Sequence, residues 1–245
     1  MPAHPTHNEH PALTLRGVTV RYDTAHPPAL DDVDLSIPAG TRLALLGLNG
    51  SGKTTLLQVP VGLVKYQGEV WVDDLALGPA HLRTIRQRTG FLFAVPENQL
   101  LFPKVIDDVT YGLRQQGWER SAAQTAALAS LEALGVQALA EHNPYHLSHG
   151  QRTRVALAAI LATQPRLLLL DEPSGGLDPP GRQKLAAILS KCPATMIMAT
   201  HSLTFARAAC THFALIHAGR IHEAIAPIAA LDDHLFDRLP TQESL

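Results

Sequence analysis

One segment of the sequence has the spacing of a phosphate-binding loop. Residues 47–54 read G-L-N-G-S-G-K-T, which fits the pattern G-x-x-x-x-G-K-[ST] at every specified position. Glycines let the backbone wrap closely, so that successive N–H groups point at phosphate oxygens. We expect Lys53 to bridge the β- and γ-phosphates of a nucleotide and the Thr54 hydroxyl to ligate Mg²⁺. The candidate nucleotide-binding residues here are Gly47, Asn49, Gly50, Ser51, Gly52, Lys53, Thr54 and Thr55.

A second segment is an apolar run that is followed directly by two acidic residues. Leucines occupy positions 167–170, and Asp171 and Glu172 follow directly. In open α/β sheets, ligands bind at the carboxyl ends of the strands, where these two side chains would lie. Asp171 is therefore the candidate Mg²⁺ ligand, usually through a water, and Glu172 the candidate general base for an attacking water. The sequence has no N-K-x-D motif for reading guanine, which disfavours a GTPase.

The elements that must position these residues alternate along the chain. Strand-like runs cover residues 12–22, 30–37, 41–46, 68–77, 90–93, 167–170, 195–200, 213–217 and 220–224. Helical patterns cover residues 54–59, 83–88, 121–134, 151–162, 184–189 and 203–209. Ser121 and Gln124 have the spacing of a capping box that would open one of these helices, and Pro60 should end another. This alternation favours an α/β fold with a largely parallel sheet.

The composition excludes several classes of protein. The chain has 245 residues, of which 46% are hydrophobic and 17% charged, so one or two folded units with a real core are expected. A net charge of −2 gives no overall footprint for nucleic acid. The longest apolar stretch, residues 155–170, is interrupted by polar residues, and neither a membrane span nor a signal peptide is expected. Two cysteines, Cys192 and Cys210, cannot form a disulfide framework, which favours a cytosolic chain.

Further motifs in a fixed order carry a family resemblance. Residues 147–151 read L-S-H-G-Q and resemble the signature L-S-G-G-Q of the ATP-binding-cassette (ABC) family. Tyr22 resembles the aromatic that stacks on adenine, residues 174–178 resemble the D-loop, and His201 resembles the switch histidine. With the phosphate-binding loop and the acidic strand, these motifs extend the resemblance over residues 12–225.

The resemblance implies an architecture. We expect an α/β fold: a P-loop NTPase (RecA-like) core with a mostly parallel sheet, an N-terminal antiparallel β-subdomain and an inserted helical subdomain at about 94–162. Residues 1–11 are expected to be a flexible tail, 12–228 the ATPase domain, and 229–245 a C-terminal tail.

The resemblance also implies a shared site for ATP. Cassettes of this family pair head to tail, with ATP between the phosphate-binding loop of one copy and the signature of the other. The implied catalytic residues are Glu172 and His201. The implied magnesium ligands are Thr54 and Asp171. Outside the phosphate-binding loop, the implied nucleotide-contacting residues are Tyr22, Ser148, Gly150, Gln151 and Asp178.

One segment suggests a subfamily and its partners. Residues 96–103, P-E-N-Q-L-L-F-P, resemble the N-P-D-D-Q-L-F-x-P segment of energy-coupling-factor ATPases, which power uptake of cobalt, nickel and vitamins. The short chain favours the cobalt/nickel or biotin type. The implied partners are integral membrane subunits and a second ATPase subunit, with no nucleic acid, at the cytoplasmic face of the membrane. The resemblance implies that residues 94–109 line the groove for the membrane subunit, with Glu97, Asp107 and Asp108 as its acids and Glu97 as the docking carboxylate.

Two residues depart from the family pattern. Ala94 stands where the family has the glutamine of the Q-loop, and Gln99 belongs to a different position. His149 replaces the second residue of the signature, normally glycine. Import of a vitamin such as biotin and a degenerate cassette with a regulatory role remain alternatives. A DNA-repair ATPase and a translation-type protein are disfavoured because the chain is short and carries each motif once.

Overall fold

The computed structural model describes residues 10–238 of the chain. Its strands are β1 (Leu13–Val20), β2 (Leu30–Ile37), β3 (Arg42–Leu46), β4 (Gln67–Val72), β5 (Leu75–Ala76), β6 (Thr89–Leu92), β7 (Leu167–Asp171), β8 (Thr195–Thr200), β9 (His212–His217) and β10 (Arg220–Pro227). Its α-helices are α1 (Lys53–Gln58), α2 (Leu82–Arg88), α3 (Val105–Gln115), α4 (Arg120–Ala133), α5 (His149–Ala162), α6 (Pro179–Leu189) and α7 (Leu203–Ala209). As expected, α1 ends before Pro60, which lies in a short 3₁₀ turn.

The main sheet is mostly parallel and brings the chemical motifs to one edge. Its strand order is β10-β9-β3-β8-β7-β6, and only β10 pairs antiparallel with its neighbour among these described strands. Strands β7 and β8 are buried along their whole length, which explains their continuous apolar sequences. Because β8 lies between β3 and β7, the segments that follow these three strands meet at their carboxyl ends.

A second, antiparallel sheet covers one face of the first. Its order is β2-β1-β4-β5. Side chains of β3 alternate between two cores, as the two-residue period of a strand requires. Leu43 and Leu45 face the antiparallel sheet, whereas Ala44 and Leu46 face the core shared with the helices. The expected α/β fold with an N-terminal antiparallel subdomain is therefore confirmed.

The helical subdomain lies between β6 and β7 and contains α3, α4 and α5. The predicted capping box at Ser121 is wrong, because α4 already begins at Arg120 and its N-cap, Glu119, makes no side-chain capping bond. The carbonyl of Ser121 instead accepts a hydrogen bond from the Thr125 hydroxyl inside the helix. A capping box forms at the start of α5, which begins two residues earlier than the sequence pattern indicated.

The structure describes part of the expected C-terminal tail but little of the expected N-terminal tail. Leu231 and Leu235, which the sequence analysis assigned to the C-terminal tail, are buried in the core shared with the helices. Packing therefore continues past residue 228. The expected tail at 1–11 lies mostly outside the described residues, which begin at His10. Among the described helices, none combines the length and the apolar character that crossing a bilayer requires.

Candidate nucleotide-binding site

The phosphate-binding loop connects β3 to α1 and depends on glycine at close approaches. A Cβ on Gly47 would overlap the carbonyl oxygen of Ile216 in β9. Gly52 has φ = 106°, and a Cβ there would lie 2.5 Å from the carbonyl oxygen of Ala29. Only glycine avoids both the backbone strain and the overlap. The loop can therefore sit against β9 and the segment before β2 while its inner side stays open.

Lys53 is buried beneath the loop and already bonded to it. Its Nζ donates hydrogen bonds to the carbonyl oxygens of Gly47 (2.8 Å) and Leu48 (2.9 Å). Burial lowers the pKa of Lys53, and the nearby carboxylates of Glu172 and Asp171 partly oppose that effect. The ammonium is thus held where the loop encloses it, and its role as a phosphate ligand stays a prediction.

Asp171 faces the first turn of α1. The Thr54 hydroxyl donates a 2.7 Å hydrogen bond to Oδ2 of Asp171, which is the last residue of β7. Burial raises the pKa of Asp171, whereas the hydrogen bond from Thr54 and the charge of Lys53 act in the opposite direction. A hydroxyl and a carboxylate oxygen side by side match the hard ligands that Mg²⁺ prefers, so the predicted pair fits that ion.

The carboxylate of Glu172 is held by Thr200, the last residue of β8, and by His201, which follows it. Its Oε1 lies 2.9 Å from Nδ1 of His201, and its Oε2 accepts a 3.2 Å hydrogen bond from the Thr200 hydroxyl. The backbone of Glu172 has φ = 48°, in the left-handed region, and its N–H donates to the carbonyl of Ala199. The sequence analysis predicted Glu172 and His201 but missed Thr200, whose place at the end of a strand beside His201 was the available signal.

Tyr22 and the predicted residues of the phosphate-binding loop, apart from Gly47, line one cavity of about 490 Å³. The Tyr22 hydroxyl lies 3.1 Å from the Thr55 hydroxyl, and the Tyr22 side chain is 66% exposed. Ala94 contributes only a methyl group to the wall, while the side chain of Gln99 bonds to the backbone of Phe93. The cavity is lined by Tyr22, Ala29, Asn49, Gly50, Ser51, Gly52, Lys53, Thr54, Thr55, Ala94, Asp171 and Glu172.

The predicted signature residues lie elsewhere on the chain and do not line that cavity. Ser148 is the N-cap of α5: its hydroxyl accepts from the N–H of Gln151, and the Gln151 side chain accepts from the N–H of Ser148. A Cβ on Gly150 would lie 2.7 Å from the carbonyl oxygen of Gly176. Asp178 caps α6 by accepting from the N–H of Gly181. We call this group of predicted residues the signature face: Ser148, Gly150, Gln151 and Asp178.

Glu97 is bonded within the chain through one carboxylate oxygen, and its role as the docking carboxylate stays a prediction. Its Oε1 accepts a 2.7 Å hydrogen bond from Arg152 and lies 3.2 Å from Nδ1 of His149. Arg152 was missed by the sequence analysis, since nothing in the local pattern links residues 55 positions apart.

Comparison with known proteins places this geometry in a family. The family described as ABC transporter matches residues 30–175, which is more than half of the chain. The chain belongs to the ABC transporter family. As an ABC cassette it is an ATPase and binds ATP.

Relatives and solved structures agree with that assignment. The nickel import ATP-binding protein NikO of Rhodobacter capsulatus is 35% identical over 227 residues, covering 87% of this chain and 89% of the relative. The energy-coupling factor transporter ATP-binding protein EcfA2 of Symbiobacterium thermophilum is 38% identical over 201 residues, covering 79% and 70%. The ATP-binding cassette MJ0796, solved as a dimer bound to ADP and Pi, superposes with a TM-score of 0.81 at 28% identity, covering 89% of this chain and 100% of that one. For cbiO1 of Clostridium perfringens, part of the complex cbiONQ, the TM-score is 0.74 at 29% identity, covering 87% of each chain.

Proposed function

We propose that this chain is the ATP-hydrolysing subunit of an energy-coupling-factor importer for cobalt or nickel ions. The observation that carries the proposal is the segment at residues 96–103, which resembles the corresponding segment of energy-coupling-factor ATPases. The names of two relatives, an energy-coupling factor ATP-binding protein and a nickel import ATP-binding protein, support the same subfamily. The structural likeness to cbiO1 adds to that support.

Nucleotide binding requires a small rearrangement of one side chain. The phosphates of ATP would lie along the loop N–H groups, with Tyr22 at the adenine end of the cavity. Lys53 would exchange its bonds to the loop carbonyls for bonds to phosphate oxygens, which are stronger because both partners are charged. Thr54 and Asp171 would hold Mg²⁺, which supplies charge neutralisation between the β- and γ-phosphates when bound.

Hydrolysis would depend on the residues around Glu172. Its carboxylate lies on the cavity wall and would accept a proton from the attacking water. Thr200 and His201 hold the two carboxylate oxygens, so the orientation of Glu172 is fixed before a nucleotide enters. His201 is largely exposed on its outer side, where it could contact the γ-phosphate or a second subunit.

The signature face would complete the site of a second copy. Ser148 and the backbone N–H of Gly150 lie away from the cavity of their own chain, so they can contribute to a nucleotide only from another subunit. The relative MJ0796 is described as dimeric. A head-to-tail pair would place two nucleotides between the two phosphate-binding loops and the two signature faces.

A groove between the core and the helical subdomain offers the surface for a membrane subunit. A cavity of about 680 Å³ has α2 and β6 on one side and α3 and α5 on the other. Its wall includes Gln99, Asp108 and Tyr111. One oxygen of Asp108 accepts from the N–H groups of Leu101 and Phe102, while its Oδ2 is buried without a protein partner. Leu101, close to Asp108, is 78% exposed. Glu97 does not line this cavity, so the acid that the groove would offer to a cationic side chain is Asp108, and the chain would reach the membrane peripherally through this partner.

Uptake in cells tests the proposed function directly. Cells that lack this chain should lose energised uptake of cobalt or nickel, and the wild-type chain should restore it. The variant Glu172→Gln should not restore uptake, whereas Glu132→Gln, a matched change of an exposed acid on α4, should restore it fully. Restored uptake of biotin alone would replace the metal assignment with a vitamin. Full complementation by Glu172→Gln would contradict an ATPase role for the chain in transport.

A further inference from the structure

His149 connects three segments that are far apart in the sequence. It is the first residue of α5, and its Nδ1 lies 3.2 Å from Oε1 of Glu97, in the turn that follows β6. Its ring also lies against the α-carbon of Gly176, between β7 and α6: a Cβ on Gly176 would overlap Cδ2 of the ring. A glycine at position 149, as in the usual signature, could make neither contact.

Glu97, the hydrogen-bond partner of His149, is itself held by Arg152. Arg152 donates to Glu97 at 2.7 Å and also to the backbone carbonyls of Pro144 and Tyr145. Burial opposes ionisation of Glu97, but its hydrogen bonds from the backbone, Arg152 and His149 outweigh that effect and lower its pKa. Because an ionised carboxylate only accepts hydrogen bonds, this contact requires the tautomer of His149 with a proton on Nδ1.

The Gly176 side leads to the proposed catalytic base. The N–H of Gly175 donates to the carbonyl oxygen of Glu172 at 2.9 Å, and the N–H of Leu177 donates to Ser174. Residues 172–177 therefore form one hydrogen-bonded turn. A displacement of Gly176 would therefore act on the backbone of Glu172 through this turn. The ring of His149 and the backbone of Gly150 approach that turn from the same helix, since a Cβ on Gly150 would overlap the carbonyl oxygen of Gly176.

We propose that His149 is a positioning residue for hydrolysis, acting through Gly176 on the turn that carries Glu172. The ring sets the separation between the signature helix α5 and residues 174–178, and Glu97 holds the ring in place. This inference rests on the proposed role of Glu172 as general base. It assigns His149 no contact with nucleotide and no proton transfer.

Three substitutions separate the two contacts of His149. His149→Phe keeps a ring against Gly176 without a donor for Glu97, His149→Asn keeps a donor without the ring, and His149→Gly removes both. Since a misplacement of about 1 Å at a catalytic group can cost up to ~10²-fold in rate, we expect kcat to fall about tenfold in the Asn and Gly variants. The KM for ATP should change less than about twofold, because nucleotide-binding residues are untouched. His149→Phe should retain most of the wild-type kcat.

The opposite pattern would overturn the proposal. If His149→Asn is fully active while His149→Phe loses as much as His149→Gly, the hydrogen bond to Glu97 and not the ring contact governs turnover. If all three variants keep the wild-type kcat, His149 positions nothing. Thermal unfolding and ATP affinity, measured on each variant, identify any loss that comes from misfolding.

A double-mutant cycle tests the contact with Gly176 itself. Gly176→Ala carries backbone strain, since Gly176 has φ = 69°, and in the wild type it also forces the new Cβ against His149. The strain is the same in both backgrounds and cancels in the cycle. We expect Gly176→Ala to lower kcat about tenfold more in the wild type than in the His149→Gly background. Additive effects would reject the coupling. Normal hydrolysis by Glu172→Gln would instead reject the role of Glu172, whatever the cycle shows.

Discussion

The residues around the phosphate-binding loop contact one another within one chain, whereas the residues of the signature face do not reach the nucleotide cavity of their own chain. Lys53, Thr54, Asp171 and Glu172 all line one cavity and are already linked by hydrogen bonds to the loop, to each other or to neighbouring strands. On the signature face, the side chains of Ser148 and Gln151 each bond to the other's backbone, and neither residue lines the cavity of the phosphate-binding loop. We therefore expect one chain to bind ATP by itself and turnover to depend on residues from a second copy.

The largest effect is expected at Glu172. Glu172→Gln should lower ATP turnover by ~10²–10⁴-fold, because general-base assistance is lost, while ATP affinity is retained. A dimer that persists in size-exclusion chromatography with ATP and Mg²⁺ should accompany the loss. If Glu172→Gln stays monomeric and hydrolyses ATP at the wild-type rate, the general base is another residue. The proposed division of roles between the two surfaces would then be wrong.

A smaller effect is expected at Lys53, and it should fall on binding. A hydrogen bond to a charged group is worth about 1.5–3 kcal/mol, so Lys53→Ala should weaken ATP binding roughly 10- to 100-fold. Titration calorimetry on the isolated chain measures this loss. Lys65→Ala, a change at an exposed lysine outside the cavity, serves as the matched control and should bind ATP normally.

Ser148 should show the reverse pattern. Ser148→Ala should leave ATP affinity of the isolated chain unchanged and lower turnover by roughly tenfold, because one charge-assisted hydrogen bond to the partner's nucleotide is lost. Since Ser148 also caps α5, loss of the cap costs about 1 kcal/mol of stability, and Ser148→Thr keeps a capping hydroxyl as the control.

Mixing variants tests whether the two surfaces act together. An equimolar mixture of Lys53→Ala and Ser148→Ala should regain ATPase activity, since a mixed dimer contains one site with both residues intact. Two folded variants that stay inactive when mixed would mean that each chain hydrolyses ATP with its own residues alone.

The smallest effect is expected at Ala94, which lines the cavity without a ligand atom. Ala94→Gln restores the glutamine that the family has at this position. Because Mg²⁺ readily keeps water as a ligand, the rise in the basal ATPase rate should be small. Steady-state assays of the purified chain measure it, and an unchanged rate would mean that water already serves at that position.

Local patterns predicted the loop and the strands that present it. The apolar runs of β3, β7 and β8 and the glycine spacing of the loop are short-range signals, and the structure confirms the fold that they imply. The roles of the site residues remain predictions. The sequence could not indicate the partner of Glu97, because the contact with Arg152 joins residues 55 positions apart and exists only once α5 packs on the turn after β6.

Helix boundaries show a second limit of sequence patterns. Ser121 and Ser148 are both followed three residues later by glutamine, yet only Ser148 is an N-cap. The difference lies in where the chain leaves the extended conformation: at Glu119 before α4 and at Ser148 before α5. Such backbone choices depend on the surrounding packing, and the four-residue pattern alone does not encode them.

The left-handed backbone of Glu172 implies a conflict between activity and heat resistance. A residue with a side chain is strained at φ = 48° by roughly 1–2 kcal/mol, and glycine is not. Glu172→Gly should therefore melt at a higher temperature than Glu172→Ala, the reverse of the usual order of these two residues. Selection for thermal tolerance alone would favour glycine at this position and would abolish ATP hydrolysis. The glutamate therefore persists only where hydrolysis itself is under selection.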